Sequence, residues 1–322
     1  MKIVTTMLAL LSAALISACG GSDSDPPAES ATAPGVAQPI SQVAALQGFS
    51  SLLAAAEKAG LATALADPNA SLTVFAPTDE AFNALATALG FQDAGAMVEA
   101  LPASALAGVL QYHILPQRRS AADIGSAPRS EAATLYQFAG QAATLELDTT
   151  DGVRIEDAVL AEARVTAADV AASNGVIHVI DKVLVPPGVL NIVQMAQLNP
   201  AFSTLVEAVT ETGLQEALSG PGPFTVFAPV NDAFAAVPGP LAAEQLRTVL
   251  TYHVLNAEVG AADIPFGSPV TTLATQPITI DAGDPPTIAD TSAVRATIVA
   301  TDVRASNGVI HVIDKVLIPQ LQ

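Results

Sequence analysis

Ser173-Asn-Gly-Val-Ile-His-Val-Ile-Asp-Lys-Val-Leu184 recurs without a change as Ser306–Leu317. Twelve identical residues, 133 positions apart, mark the closing segment of two homologous units. The Asn-Gly pair predicts a tight hairpin turn with two positive-φ residues. Val176–Leu184 then reads as a strand, apolar apart from His178, Asp181 and Lys182. Such a run belongs at the centre of a sheet, buried on both faces, rather than at an edge. Val165–Ala172 and Ile298–Ala305 are the partner strands of the two hairpins.

The repeat extends upstream. Phe49–Leu61 matches Phe202–Leu214. Both place apolar residues at i, i+3, i+4 and i+7, one face of an amphipathic helix. Both end at a glycine, Gly60 and Gly213, where a left-handed C-cap is expected. Leu72-Thr-Val-Phe-Ala-Pro-Thr-Asp-Glu-Ala-Phe82 matches Phe224-Thr-Val-Phe-Ala-Pro-Val-Asn-Asp-Ala-Phe234. Each predicts a short strand ended by a proline, Pro77 or Pro229. A helix start follows, capped by Thr78 in the first copy and Asn231 in the second. Tyr112-His113 and Tyr252-His253 come next, each after a helical stretch. Thr144–Asp148 and Val153–Ile155 alternate as strands around an Asp151-Gly152 turn. The offset between copies falls from 153 to 152, then 140, then 133. The second copy therefore lacks about 12 residues before Tyr-His and about 7 before the closing hairpin, deletions expected in loops or helix ends. Pro186-Pro187-Gly188 marks the boundary.

Composition bounds the function. The chain has 322 residues and a formal net charge of −19. So acidic a chain is a poor partner for nucleic acid, which needs a basic surface. Met1-Lys2 followed by the apolar run Ile3–Ile16 suits a signal-peptide core and is short for a membrane span. Ile16-Ser-Ala-Cys19-Gly20 resembles a bacterial lipobox, and Cys19 is the chain's one cysteine. Residues 1–18 are then a removable leader, Cys19 a lipidation site and residues 19–37 a flexible tether. Residues 38–186 and 187–322 form two domains.

The Thr-Val-Phe-Ala-Pro boxes, the Tyr-His pairs and the closing segment, each present twice and in order, resemble the signatures of the fasciclin domain. The resemblance implies an α+β fold in each unit, a β-sandwich or wedge of about seven strands with helices packed on one side. It also implies a surface adhesion module rather than an enzyme. In animal members the Tyr-His region is implicated in integrin adhesion, so Tyr112, His113, Tyr252 and His253 are candidate binding residues.

The residues themselves favour structural roles. His178 and His311 are expected as core histidines, hydrogen-bonded within the fold. Asp79, Glu80, Asn231 and Asp232 read as helix caps, and Asp181 and Asp314 as local structural acids. The acid-glycine segments Asp148–Gly152 and Asp281–Asp284 read as turns. No nucleophile elbow, zinc-protease helix or phosphate loop is present, and no metal or cofactor is expected. The function expected is a lipid-anchored envelope or surface protein that contacts a protein or polysaccharide. The alternative is a small-ligand carrier or sensor binding between the two domains. A hydrolase ranks last and requires an accessible histidine beside a carboxylate and a serine or water.

Overall fold

The computed structural model describes residues 38–237, 239 and 241–321. The leader, Cys19 and the tether lie outside the described residues.

The first domain runs α1 (Ile40–Gln47), α2 (Ser50–Lys58), α3 (Ala62–Ala66), β1 (Leu72–Pro77), α4 (Asp79–Ala88), α5 (Ala94–Ala100), α6 (Ala103–Tyr112), β2 (Ile114–Leu115) and α7 (Ala121–Ile124). It closes with β3 (Arg129–Phe138), β4 (Gln141–Asp148), β5 (Arg154–Glu156), β6 (Glu162–Ala172) and β7 (Gly175–Ile180). The second domain repeats the plan with α8 (Ile192–Leu198), α9 (Ser203–Glu211), α10 (Gln215–Ser219), β8 (Phe224–Pro229), α11 (Asn231–Ala235), α12 (Ala243–Tyr252) and β9 (Val254–Leu255). Its last strands are β10 (Pro269–Thr271), β11 (Pro277–Asp281), β12 (Thr287–Ala289), β13 (Ala296–Ala305) and β14 (Gly308–Ile313).

Each domain is α+β, a seven-stranded mixed sheet with helices. The first sheet is ordered β2-β1-β7-β6-β5-β4-β3, and the second repeats that order from β9 to β10. β7 pairs in parallel with β1 and antiparallel with β6, and all six of its residues are buried. The strand is shorter than the apolar run predicts, because the chain bends at Asp181-Lys182. β2 and β3, at opposite ends of the sheet, also touch, so the sheet is nearly closed. In the second domain Leu273 N–H donates to Val254 O at 2.8 Å to the same effect.

Side chains alternate across β1, so one strand serves two cores. Phe75 points inward with Leu145, Leu147, Ile155 and Ile180. Val74 and Ala76 point outward, where α1, α2, α4, α5 and α6 cover them with Leu52, Phe82, Met97 and Leu110. Gly60 and Gly213 end α2 and α9 at φ +72° and +67°. In each case the residue after the glycine donates back across the last turn, Leu61 to Ala56 O and Leu214 to Val209 O. That pattern satisfies the carbonyls a helix end leaves free.

Three sequence expectations need correction. First, the Asn-Gly pair does not form a turn of two positive-φ residues. The turn is Ser173-Asn174, and neither has positive φ. Asn174 is instead a buried bracket. Its Oδ1 accepts from Ile40 N–H at 2.9 Å, and its Nδ2 donates to Leu65 O and Asp67 O at 3.0 and 2.9 Å. Asn307 repeats this with Ile192, Leu218 and Gly220. Gly175 is required by closeness, since a Cβ there would lie 2.2 Å from Leu72 O.

Second, Asn231 does not cap its own helix. It holds the start of α9, accepting from Thr204 N–H at 3.0 Å and donating to Pro200 O at 2.9 Å. Asp79 acts alike on α2, accepting from Ser51 N–H at 2.8 Å and from the Ser50 hydroxyl. Only Thr78 caps as predicted, accepting from Ala81 N–H at 3.2 Å.

Third, the deletions are not confined to loops. The first removes a whole helix, α5, and shortens the counterpart of α4. The second shortens a hairpin, from β3 and β4 of 10 and 8 residues to β10 and β11 of 3 and 5.

The longer hairpin of the first domain reaches the linker. Tyr136 Oη–H donates to Pro187 O at 3.0 Å, and the Phe138 ring fills the space beside Gly188. Val159 and Ala161 of the first domain share one apolar cluster with Val185, Ile192 and Met195. Asn199 Nδ2 donates to Val159 O at 2.9 Å across the same junction. An apolar junction with internal hydrogen bonds couples the domains more firmly than a polar linker.

Candidate functional site

Tyr112 and His113 end α6, and Tyr252 and His253 end α12. Their exposures are 1, 1, 0 and 2%. The Tyr112 hydroxyl donates to Thr144 O at 3.0 Å, and that of Tyr252 to Pro277 O at 2.9 Å. His113 Nδ1–H donates to Val109 O at 2.7 Å, and its Nε2 accepts from Leu184 N–H at 2.9 Å. His253 does the same with Val249 O and Leu317 N–H. Each ring ties a helix to the segment just after the closing strand. Burial pushes both rings down to about 4, against the pull of the bond to the helix carbonyl. Burial also raises both phenols, that of Tyr252 to about 12.

His178 and His311 are likewise enclosed. His178 Nε2–H donates to Arg119 O at 2.9 Å, and Nδ1 accepts from Asp169 N–H at 3.3 Å. His311 repeats this with Val259 O and Asp302 N–H. Asp169 and Asp302 lie at φ +58° and +61°, where β6 and β13 change register. The histidine therefore holds a bulge, and each bulge aspartate accepts from Ala121 or Ala261 N–H. Asp181 and Asp314 accept from Arg164 and Thr297 N–H.

All four histidines thus have both ring nitrogens occupied by backbone partners, and none is free to take a proton from a nucleophile. Among the described residues no group of three or more His, Cys, Asp or Glu side chains is placed to hold a metal ion. What the repeats share is spent on holding the fold.

The surfaces differ. In the first domain Glu131, Glu146, Glu156 and Glu162 stand opposite one another across β3, β4, β5 and β6. They line a cleft of about 290 Å³. Burial, then the neighbouring Glu146 and Glu162, raise the Glu156 carboxyl. The next row along the strands is Arg129, Asp148, Arg154 and Arg164. In the second domain the corresponding glutamate row is Pro269, Thr279 and Ala289. This contrast is hidden in the sequence, because a row across four strands appears only once the register is known.

A crease of about 480 Å³ lies between the domains, with Gln141, Thr144 and Asp157 on one side and Thr301, Asp302 and Arg304 on the other. Asp157 is 6% exposed and accepts from Val159, Ala161 and Val185 N–H. Burial pushes its carboxyl up to about 7, against those three bonds.

A fasciclin-domain model matches residues 47–186 and 200–319. The chain belongs to the fasciclin-domain family. Among the relatives of this fasciclin-domain protein, Protein sll1483 of Synechocystis sp. is 44% identical over 140 residues, covering 41% of this chain and 75% of that protein. Uncharacterized protein sll1735 of Synechocystis sp. is 41% identical over 134 residues, 40% of this chain and 97% of its own length. The transforming growth factor-beta-induced protein ig-h3 of Sus scrofa is 38% identical over 164 residues, 49% of this chain but 23% of that longer protein. Among solved structures, a FAS1 domain pair from the insect cell adhesion molecule fasciclin I covers 87% of this chain and 98% of its own at 20% identity, with a TM-score of 0.43.

Proposed function

We propose that this fasciclin-domain protein is a non-enzymatic adhesion or interaction protein of the bacterial cell envelope, exported by its leader and anchored through Cys19. It contacts a surface protein or polysaccharide through exposed faces of its two domains. The carrying observation is that the repeated polar side chains make their hydrogen bonds inside the fold, which leaves the differing surfaces for specificity. The test is deletion of the gene followed by assays of aggregation, biofilm and surface attachment. A measurable loss, restored by the full chain, is expected, and unchanged attachment overturns the reading. Replacing Cys19 with Ser is expected to move the protein from the membrane fraction to the soluble one. Retention at the membrane overturns the anchor.

A second reading, a small-ligand carrier or sensor, draws on the crease between the domains. It ranks lower because Arg304, the cation on its wall, already pairs with Glu258 at 2.8 Å and Asp302 at 3.1 Å.

A further inference from the structure

The helix missing from the second domain leaves a seat that Val237 and Leu241 fill only in part. In the first domain α5 packs between α2 and α4, burying Ala94, Met97 and Val98. Its start is held by Asn83 Oδ1, which accepts from Ala94 N–H at 3.0 Å. Its end is held by Lys58 Nζ, which donates to Val98 O and Glu99 O at 2.8 and 2.6 Å. In the core cluster that it joins, Phe82 and Leu106 are 2 and 3% exposed.

Their counterparts in the second domain are Phe234 and Leu246, and both are only half-buried. With Val237, Leu241, Val249 and Val316 they line an apolar groove of about 330 Å³. At its edge stands Glu211, the counterpart of Lys58. The substitution reverses the chemistry at that end of the seat. A lysine donates to the free carbonyls of a helix end, whereas a carboxylate accepts and attracts a cation.

We propose that this groove seats an amphipathic helix of a partner protein, with a seam of small and apolar residues and a Lys or Arg in its last turn facing Glu211. The seat itself fixes the shape of the occupant, because the same fold fills it with a helix of two turns in the first domain. The charge fixes its chemistry, since a basic last turn also suits the negative end of a helix. A second copy of this chain is a poor donor. Among the described helices of eight residues or more, only α2 ends in a basic residue, and its apolar face is already packed in a core. Its α5 is already seated at both ends. Helix-in-groove docking needs a few apolar anchors and a matching rim, which this groove has.

The proposal gives the interaction reading above a partner class, and its test is independent of the adhesion assay. The probe is a stapled, fluorescein-labelled peptide copying Phe91–Leu101 with Glu99 replaced by Lys. Anisotropy is read against the full chain at low salt. Saturable binding is expected, weakened about tenfold or more by Val237→Asp. Glu211→Lys is expected to weaken it about threefold, and a peptide keeping Glu99 to show the opposite preference. Leu246→Gln serves as the second groove variant, and a melting curve confirms that each variant is folded. No saturation at millimolar peptide, or equal binding by the folded groove variants, overturns the proposal. A dimer dissociated by Val237→Asp, without peptide binding, also overturns it and assigns the groove to a second copy. Loss of attachment on gene deletion with no peptide binding leaves adhesion standing and removes the groove.

Discussion

The two domains carry the same acid and the same lysine, and treat them differently. In the second domain Lys315 Nζ lies 2.6 Å from Asp290 Oδ2. Asp290 also accepts from the N–H and hydroxyl of Ser292 and from Ile318 N–H. Burial acts to raise its carboxyl, but the bonds to Lys315 and Ser292 prevail and hold it below the usual range. In the first domain the counterparts are Asp157 and Lys182. Lys182 is exposed to solvent, Asp157 is enclosed, and its carboxyl rises to about 7. Beyond the lysine contact itself, one neighbour differs. Where the second domain has Ser292, the first has Val159, buried in the apolar junction with the second domain. In the first domain the acid lacks that hydroxyl donor and is enclosed beside the junction. The same residue pair is a direct ion pair in one place, and in the other a buried acid held by three backbone N–H groups with its lysine acting only from a distance.

The largest effect should be shared by both domains. His113 and His253 are held neutral, lowered from 6.5 to about 4. Between those values the folded state binds fewer protons than the unfolded chain, so stability is full above about 6.5 and lost as pH falls. The loss is expected to reach about 3 kcal/mol per histidine. Urea titrations of the wild type and of His253→Gln at pH 7 and pH 4 check it, and a difference between the two proteins that does not change with pH would refute it.

Asp157 should act in the opposite sense. Its folded value lies above the ordinary 3.8, so its contribution is full below that pH and lost as pH rises through about 7. That interval corresponds to at most about 4 kcal/mol. The stability difference between wild type and Asp157→Asn should therefore shrink from pH 4 to pH 7. For Asp290→Asn, whose folded value is lowered, the difference should grow as pH rises from the acid side. Parallel curves for the two variants would erase the contrast between the domains.

Lysine removal gives a smaller effect. Lys315→Ala leaves Asp290 in an enclosed site without its counter-charge, and a loss of about 2–3 kcal/mol is expected. Lys182→Ala should cost less than about 0.5 kcal/mol, as for other exposed side chains. Equal costs by chemical denaturation would show that Lys182 reaches its acid after all.

The smallest effect concerns the glutamate row. Glu156→Gln removes a like charge between Glu146 and Glu162 and should stabilise the first domain by about 0.5 kcal/mol at low salt. Added salt should abolish the gain. A loss of stability in its place would mean that the adjacent Arg129 and Arg154 outweigh the like charges.

Much of the fold was legible because its signals are repeated or local. The closing segment, the apolar helix faces and the two terminal glycines each announce themselves within a dozen residues. What stayed hidden depends on distant partners. Asn-Gly reads locally as a turn, whereas the bonds of Asn174 go to Ile40, Leu65 and Asp67, far back in the chain. Asp79 and Asn231 sit where a cap belongs, yet serve another helix. Tyr112 and His113 were candidates for contact with a partner, and the structure holds both inside. The glutamate row and the groove beside Glu211 need strand register and a comparison of packing between the copies.

The sheet order sets a schedule as well as a shape. In each domain the final strand is a central one, flanked by the first long strand and by the strand just before it. Leu72 finds its partner only when Gly175 has been made, and Phe224 only when Gly308 has. Until then neither the Val74 face nor the Phe75 face is sealed, and contacts this distant in sequence close slowly. A chain threaded through a membrane pore from its N-terminus would thus stay pliant until each closing segment emerged. Late closure is a property that suits passage through a narrow channel.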